Sequence, residues 1–334
     1  LNFQSEKRVI RNYLDALDAA EGDGITQVLR DYTATNYIWR GFHPFHLQTD
    51  VHTISSHFWQ PFRHAVRHMQ RRMDVFFAGT NLIDDGGAVW VCSMGHLMGL
   101  FDNAWLGILP TGKIAMLRYA EFHRVEDGKI AETAFYFDIP HFMLQAGYTP
   151  LGNQAAAHLV QPGPAPHDAL LFSDADEFEG QKTSDAIHRM ISDLGQWQSG
   201  LPLEEELARS WHDDMIWWGP GGIGATYTIA RYAQQHAGPF RAGLSDRSGT
   251  GHIARIAEGH YGGFFGWPNF TAKPTGGYLG LPPSDKACEF RVIDIYRREG
   301  DKLKENWVFI DMLHFFNQQG VDVLGNLQRG VTNT

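Results

Sequence analysis

The chain repeats itself, and that constrains its fold more than any other feature. Arg118, Glu132, Asp138 and His141 recur as Arg291, Glu305, Asp311 and His314, each pair 173 positions apart. Gln145 with Gln318 and Gly147 with Gly320 extend the match without a gap. Between residues 105–147 and 278–320, 14 of 43 aligned positions are identical, where average residue usage gives roughly two or three by chance. Further upstream the spacing is 178, pairing Trp39 with Trp217 and Gly41 with Gly219. The first copy therefore carries a net five extra residues between about 64 and 85. A repeat of this length predicts two similar domains, and 334 residues suit two domains of about 150 residues each. We place them at 1–150 and 181–334. A linker at 151–180 contains Pro162, Pro164 and Pro166, which interrupt regular structure.

Hydrophobic spacing predicts helices over 6–20 and 25–31, a short strand at 37–39, and a helix over 50–70 with Phe58, Trp59, Phe62 and Val66 on one side. Strands follow at 73–83, 87–101, 113–125 and 130–138, with hairpin turns at Asp84-Asp-Gly-Gly87 and Glu126-Asp-Gly128. Helices first and an antiparallel sheet afterwards is an α+β pattern. The second copy opens with a helix at 184–196. It carries a looser, Gly- and Pro-rich segment at 266–277 that would serve as a mobile lip.

Composition narrows the classes of function. A formal net charge of −10 disfavours nonspecific phosphate binding, so no nucleic-acid partner is expected. No apolar run reaches the length of a membrane span, and the first residues lack a signal-peptide pattern. Residues 1–5 read either as an expression scar or, at Ser5, as a helix cap. Cys92 and Cys288 fall at unmatched positions of the two copies, so no disulfide framework is expected, and a reducing cytoplasm is the default setting. No Walker or Gly-x-Ser-x-Gly element appears, which leaves P-loop nucleotide binding and serine-hydrolase chemistry without support.

Residues 280–286 (Gly-Leu-Pro-Pro-Ser-Asp-Lys), the run Arg291-x-x-Asp294-x-x-Arg297 through Glu305-Asn-Trp307, and the ending Asp311-x-x-His314-x-x-x-Gln318-x-Gly320 resemble the SnoaL-like polyketide cyclases of the nuclear-transport-factor-2-like superfamily. The first copy shows the same pattern at 107–113, 126–130 and 138–147. The resemblance implies two tandem cone-shaped α+β barrel domains, each a curved antiparallel sheet wrapped around helices over an apolar pocket. It implies an approximate two-fold relation between them, an intrachain version of the family's dimer, with further homo-oligomers left open. It also implies a small, partly apolar carbonyl substrate closed by an intramolecular aldol step, or an isomerase- or lyase-type relative of that reaction, with no metal or organic cofactor.

In that family an aspartate at the position of Asp138 and Asp311 is the general acid/base, so the resemblance makes these two the catalytic candidates. Both also suit a helix N-cap, since each precedes a helix. Period two puts Glu305, Trp307, Phe309 and Asp311 on one face, and Tyr136 and Asp138 on the matching face of the first copy. Substrate-binding candidates are Trp39, Arg118, Glu121, Tyr136 and His141 in the first copy, and Trp217, Trp267, Arg291, Asp294, Trp307 and His314 in the second. For Arg118 with Glu121 and Arg291 with Asp294 the competing reading is an ion-pair lattice on the sheet. The second copy, with Trp307 in place of Ala134, is expected to hold the more aromatic pocket. His43, His46, His52, His57, His64 and His68 cluster in the first copy, and His64-x-x-x-His68 would put two imidazoles on one helix face. No carboxylate motif accompanies them and nothing aligns in the second copy, so no metal site is expected. A noncatalytic binding protein and an epoxide hydrolase on the same fold remain the alternatives.

Overall fold

The computed structural model describes residues 2–152, 154–195 and 199–328; Leu1, residue 196 at the expected end of the second copy's first helix, and 329–334 lie outside them. The repeat appears as two six-stranded sheets. The first contains β1 (Thr33–Gly41), β2 (His46–Gln48), β3 (Val66–Thr80), β4 (Val89–Phe101), β5 (Ile114–Glu126) and β6 (Lys129–Phe137), in the order β2-β1-β6-β5-β4-β3. The second half contributes β7 (Trp211–Trp218), β8 (Ala225–Tyr227), β9 (Leu244–Gly249), β10 (Ala254–Glu258), β11 (Tyr261–Phe265), β12 (Phe270–Pro274), β13 (Cys288–Phe290), β14 (Val292–Glu299) and β15 (Lys302–Ile310). Its large sheet runs β8-β7-β15-β14-β11-β10, the same order element for element. Strands β13-β12-β9 form a small third sheet.

Four expectations need correction. The sheets are mixed, because β1 runs parallel to β6 and β7 parallel to β15; the first strand lies beside the last, and the chain between them returns through helices and a meander. Nor does either sheet close into a barrel, since β2 and β3, like β8 and β10, remain edges. The helix expected over 50–70 stops at Ala65, after a π-helical turn at Ser55–Trp59. Strand β3 then starts at Val66, seven residues before its expected start, because the far half of β4 needs backbone partners, and Val66↔Phe101 opens that ladder. The 266–277 stretch is not loose throughout: β12 pairs with β13 on one side and β9 on the other.

Each sheet curls over its own helix. Gln4–Ala19 buries Ile10, Tyr13, Leu14 and Leu17 against the first sheet, and Glu177–Gly195 buries Ala186, Ile187 and Met190 against the second. Apolar residues at helical spacing on one side suffice to place both helices. The opposite, outer faces of the sheets pack on each other, with Phe122 and Trp90 against Phe265. Residues between the two halves are not a free tether: Ala157 bridges to Ala225, and Ala169 and Leu171 bond the backbone of Phe76 on β3.

Candidate functional site

Asp138 and Asp311 each cap the helix that follows, accepting the N–H of His141 and His314. Each also reaches across to the other half. Asp138 accepts the Gly221 N–H at 2.9 Å, and Asp311 accepts the His43 N–H at 3.0 Å. His43 and Gly221 are themselves 178 positions apart, so the contacts are reciprocal, as an approximate two-fold axis requires. The buried Arg118 completes the first lock. Its guanidinium donates to Asp138 Oδ2 at 2.9 Å and to the carbonyls of Trp218, Gly219 and Val308. Gly219-Pro-Gly-Gly-Ile-Gly224 has the spacing of a dinucleotide-binding loop, yet it joins two strands and opens no helix. Close approach explains its second glycine: a Cβ on Gly221 would meet the His141 nitrogen at 2.4 Å.

The second lock is looser. Arg291 Nη1 lies 3.6 Å from Asp311 Oδ2 and donates instead to His46 Nδ1 at 2.9 Å. Burial pushes the Asp311 carboxyl up to about 7, against the pull of the His43 N–H and Arg291. A carboxyl raised on folding binds its proton more tightly in the folded state, so its contribution to stability is present below about 4 and is lost as pH rises towards 7. Asp311→Asn is therefore expected to gain stability relative to the parent as pH rises through that window, in denaturant midpoints measured at pH 5 and pH 8. A difference that does not change with pH would show that Asp311 ionises normally.

The cavity lies inside the second cone, on the other face of the strands. It holds about 1290 Å³, above the usual range for small-molecule sites. Alternation along β14 turns Val292, Asp294 and Tyr296 inward, and β15 contributes Asn306, Val308 and Ile310. Asp294 is surrounded by protein but keeps partial exposure because the cavity reaches it. Burial raises its carboxyl to about 6, although Asn306, Tyr296 and Arg247 all favour the charged form. Asn306 Nδ2 donates to Asp294 Oδ1 at 3.2 Å. Across the cavity, His236 stacks on Trp217 at 3.9 Å and leaves its buried Nδ1 without a hydrogen bond. Burial holds that imidazole neutral, at about 3, and holds the Tyr232 phenol protonated.

The first cone is full at the equivalent places. Where the second has Ala237, Val308 and Ile310, the first has Trp59, Phe135 and Phe137. Trp59 stacks on Phe135 at 5.4 Å, and Phe58 packs on both Phe135 and Phe137. Glu121, the counterpart of Asp294, is neutralised: Arg71 sits 2.6 Å away and His123 2.8 Å away. Burial pushes the Glu121 carboxyl up, but Arg71 and His123 outweigh it and leave it below the ordinary range. Restoring the first cone's residues with Ala237→Trp and Val308→Phe is expected to abolish ligand binding without loss of melting temperature, as read by fluorescence titration and thermal unfolding.

Of the expected binding residues, the cavity brings together Trp217 and Asp294. Trp39 is core in the filled cone, beside Phe45 and Phe58. Tyr136 and Trp307 lie at the seam, where the Tyr136 hydroxyl donates to the Gly266 carbonyl and Trp307 Nε1 to that of Pro162. Trp267 lies under the Arg291 guanidinium, 3.8 Å away. His141 is held by the Leu159 carbonyl and Gln145. The parity that groups Trp307 with Asp311 selects the seam face; starting from Asp294 and stepping by two would have found Tyr296, while Tyr232 and His236 lie on helical turns and Arg247 on β9, outside the strands read from the sequence. The ion-pair lattice also differs from the pairs expected, since Arg118 and Glu121 point to opposite faces. Among the six clustered histidines, His64 ends a helix and His68 lies in β3, so they share no helix face. His43 and His46 meet His314 instead.

The fold is that of two curved α+β cones, the second of them hollow. The family described as SnoaL-like polyketide cyclase matches residues 268–319, a span that carries β14 and β15 and hence Asp294. A putative SnoaL-like polyketide cyclase from Jannaschia sp. CCS1 is similar at 17% identity, covering 41% of this chain and 88% of that one with a TM-score of 0.32. A putative polyketide cyclase from Acidithiobacillus ferrooxidans is similar at 19% identity over 42% and 94% of the two chains, TM-score 0.34. An arylsulfatase from Volvox carteri is 28% identical over 121 residues, 35% of this chain and only 18% of that protein's length. Among the described residues no helix is long and apolar enough to cross a membrane.

Proposed function

We propose that the second cone binds a small, partly apolar carbonyl compound and that Asp294 moves a proton on the carbon beside the carbonyl, in a cyclase- or isomerase-type reaction. One observation carries this: a carboxyl that burial raises to about 6, against the pull of Arg247, faces a large aromatic-walled cavity. Above that pH Asp294 is the free base. It takes the α-proton, the C–H electrons pass into the enolate, and the neutral Tyr232 hydroxyl is a donor for the enolate oxygen. In a ring closure the enolate carbon attacks a second carbonyl, and the proton on Asp294 passes to the new alkoxide. A pKa close to working pH suits a group that must both take and return a proton.

The test is solvent exchange. A panel of aromatic and bicyclic β-diketones is incubated with the protein in D₂O, and deuterium at the α-carbon is followed by NMR. The expected result is catalysed exchange for at least one compound, lost in Val308→Phe. Binding without exchange for every compound would support the noncatalytic alternative. Neither binding nor exchange would overturn the carbonyl-site reading.

A further inference from the structure

His43 and His46, from the loop and strand that follow β1, meet His314, from the helix after β15, at the seam and outside the cavity. We propose that these three imidazoles form a transition-metal site, suited to zinc or a similar divalent ion, that ties the two halves of the chain together. One ligand atom from each lies within 4.8 Å of the others. His43 Nδ1 and His46 Nε2 are 3.2 Å apart, close to the roughly 3.3 Å that separates two nitrogens bound at about 2.0–2.1 Å to a tetrahedral ion. His314 is 13% exposed, and neither of its ring nitrogens makes a hydrogen bond. An enclosed imidazole with neither nitrogen hydrogen-bonded calls for a partner, and a metal ion supplies one. Three histidines leave a fourth position for water or a small ligand.

The surroundings suit a cation once one group moves. Asp311, Asp322 and Glu289 are carboxylates at hand; Glu289 Oε2 lies 3.5 Å from His314 Nε2, within reach to orient that ring as carboxylates commonly do for metal-bound histidines. Arg291 is the opposing charge. Its Nη1 donates to His46 Nδ1, which places the His46 proton on Nε2, facing His43. Metal binding through Nε2 requires that proton to move to Nδ1 and Arg291 to withdraw. A destination exists, because Asp311 Oδ2 is already 3.6 Å from the same Nη1. The shift would close the second lock to the geometry of the first, where Arg118 sits 2.9 Å from Asp138. The trio has no counterpart across the two-fold. Gly221 and Gly224 stand at the positions of His43 and His46, and the counterpart of His314, His141, has both ring nitrogens engaged.

Cobalt(II) alone is the probe, titrated into the full chain after treatment with chelator. The expected result is one equivalent bound with the intense visible band of a four-coordinate ion. His46→Gln and His314→Gln should each lose the band and bind roughly 100-fold more weakly, with circular dichroism confirming that they fold. Arg291→Met should bind more tightly than the parent, because the competing cation is gone. The double change His64→Gln with His68→Gln should leave the band intact. No band in the parent protein, or a band that survives in folded His46→Gln and His314→Gln, overturns the assignment.

Discussion

Arg118→Ala is expected to destabilise the folded chain by about 3–5 kcal/mol, the cost of leaving a buried charge without its partner. The alanine strands Asp138 and frees three carbonyls, on Trp218, Gly219 and Val308, that lie in the other half of the molecule. Melting temperature should fall by on the order of 10 °C. Arg118→Lys should recover only part of this, because one ammonium cannot span an oxygen of Asp138 and three carbonyls as the planar guanidinium does. The decisive comparison is a cycle with Asp138→Asn. If Arg118 and Asp138 act as one lock, the double variant loses much less than the sum of the singles. Additive losses would mean that the two residues stabilise the seam independently.

Asp294→Asn is expected to lower catalysed α-exchange by about 10²–10⁴-fold, the range for loss of a positioned general base. In the parent protein kcat/KM should rise with pH through about 6, where Asp294 becomes the free base. The variant should show no such rise. Stability should move the other way. A carboxyl raised on folding loses its contribution as pH climbs from about 4 to 6, so at pH 8 the asparagine form should be as stable as the parent or more so. Loss of exchange together with loss of stability would point to a structural role. Unchanged exchange would move the chemistry away from Asp294.

Much of the architecture was legible because the repeat is carried by strand and cap residues whose roles are local. Asp138 and Asp311 announce helix starts, the Asp-Gly turns announce hairpins, and the constant spacing announces two units. The seam was less legible, since nothing in one copy says that its aspartate reaches an amide of the other. The cavity was misplaced by one residue of parity. Trp307 draws attention as the large aromatic of its strand, but a tryptophan there packs the seam, and the hollow is made by what is small: Ala237, Val308 and Ile310 in place of Trp59, Phe135 and Phe137. Absence of bulk shows in a sequence only when a second copy is present for comparison. The histidine trio was hidden for a related reason, because His314 lies far along the chain from His43 and His46.

The alternation along β14 and β15 has a consequence for how this protein can change. Ile293, Ile295, Trp307 and Phe309 face the seam, while Asp294, Tyr296, Asn306 and Val308 face the hollow, so neighbouring positions answer to different demands. Substitutions at every second residue can reshape the cavity while leaving intact the surface on which the filled cone rests. The filled cone then serves as ballast, supplying packed core that a hollow unit lacks. Variation in ligand preference should therefore concentrate at inward positions of one half, and libraries built there should yield folded proteins far more often than libraries built one residue out of step.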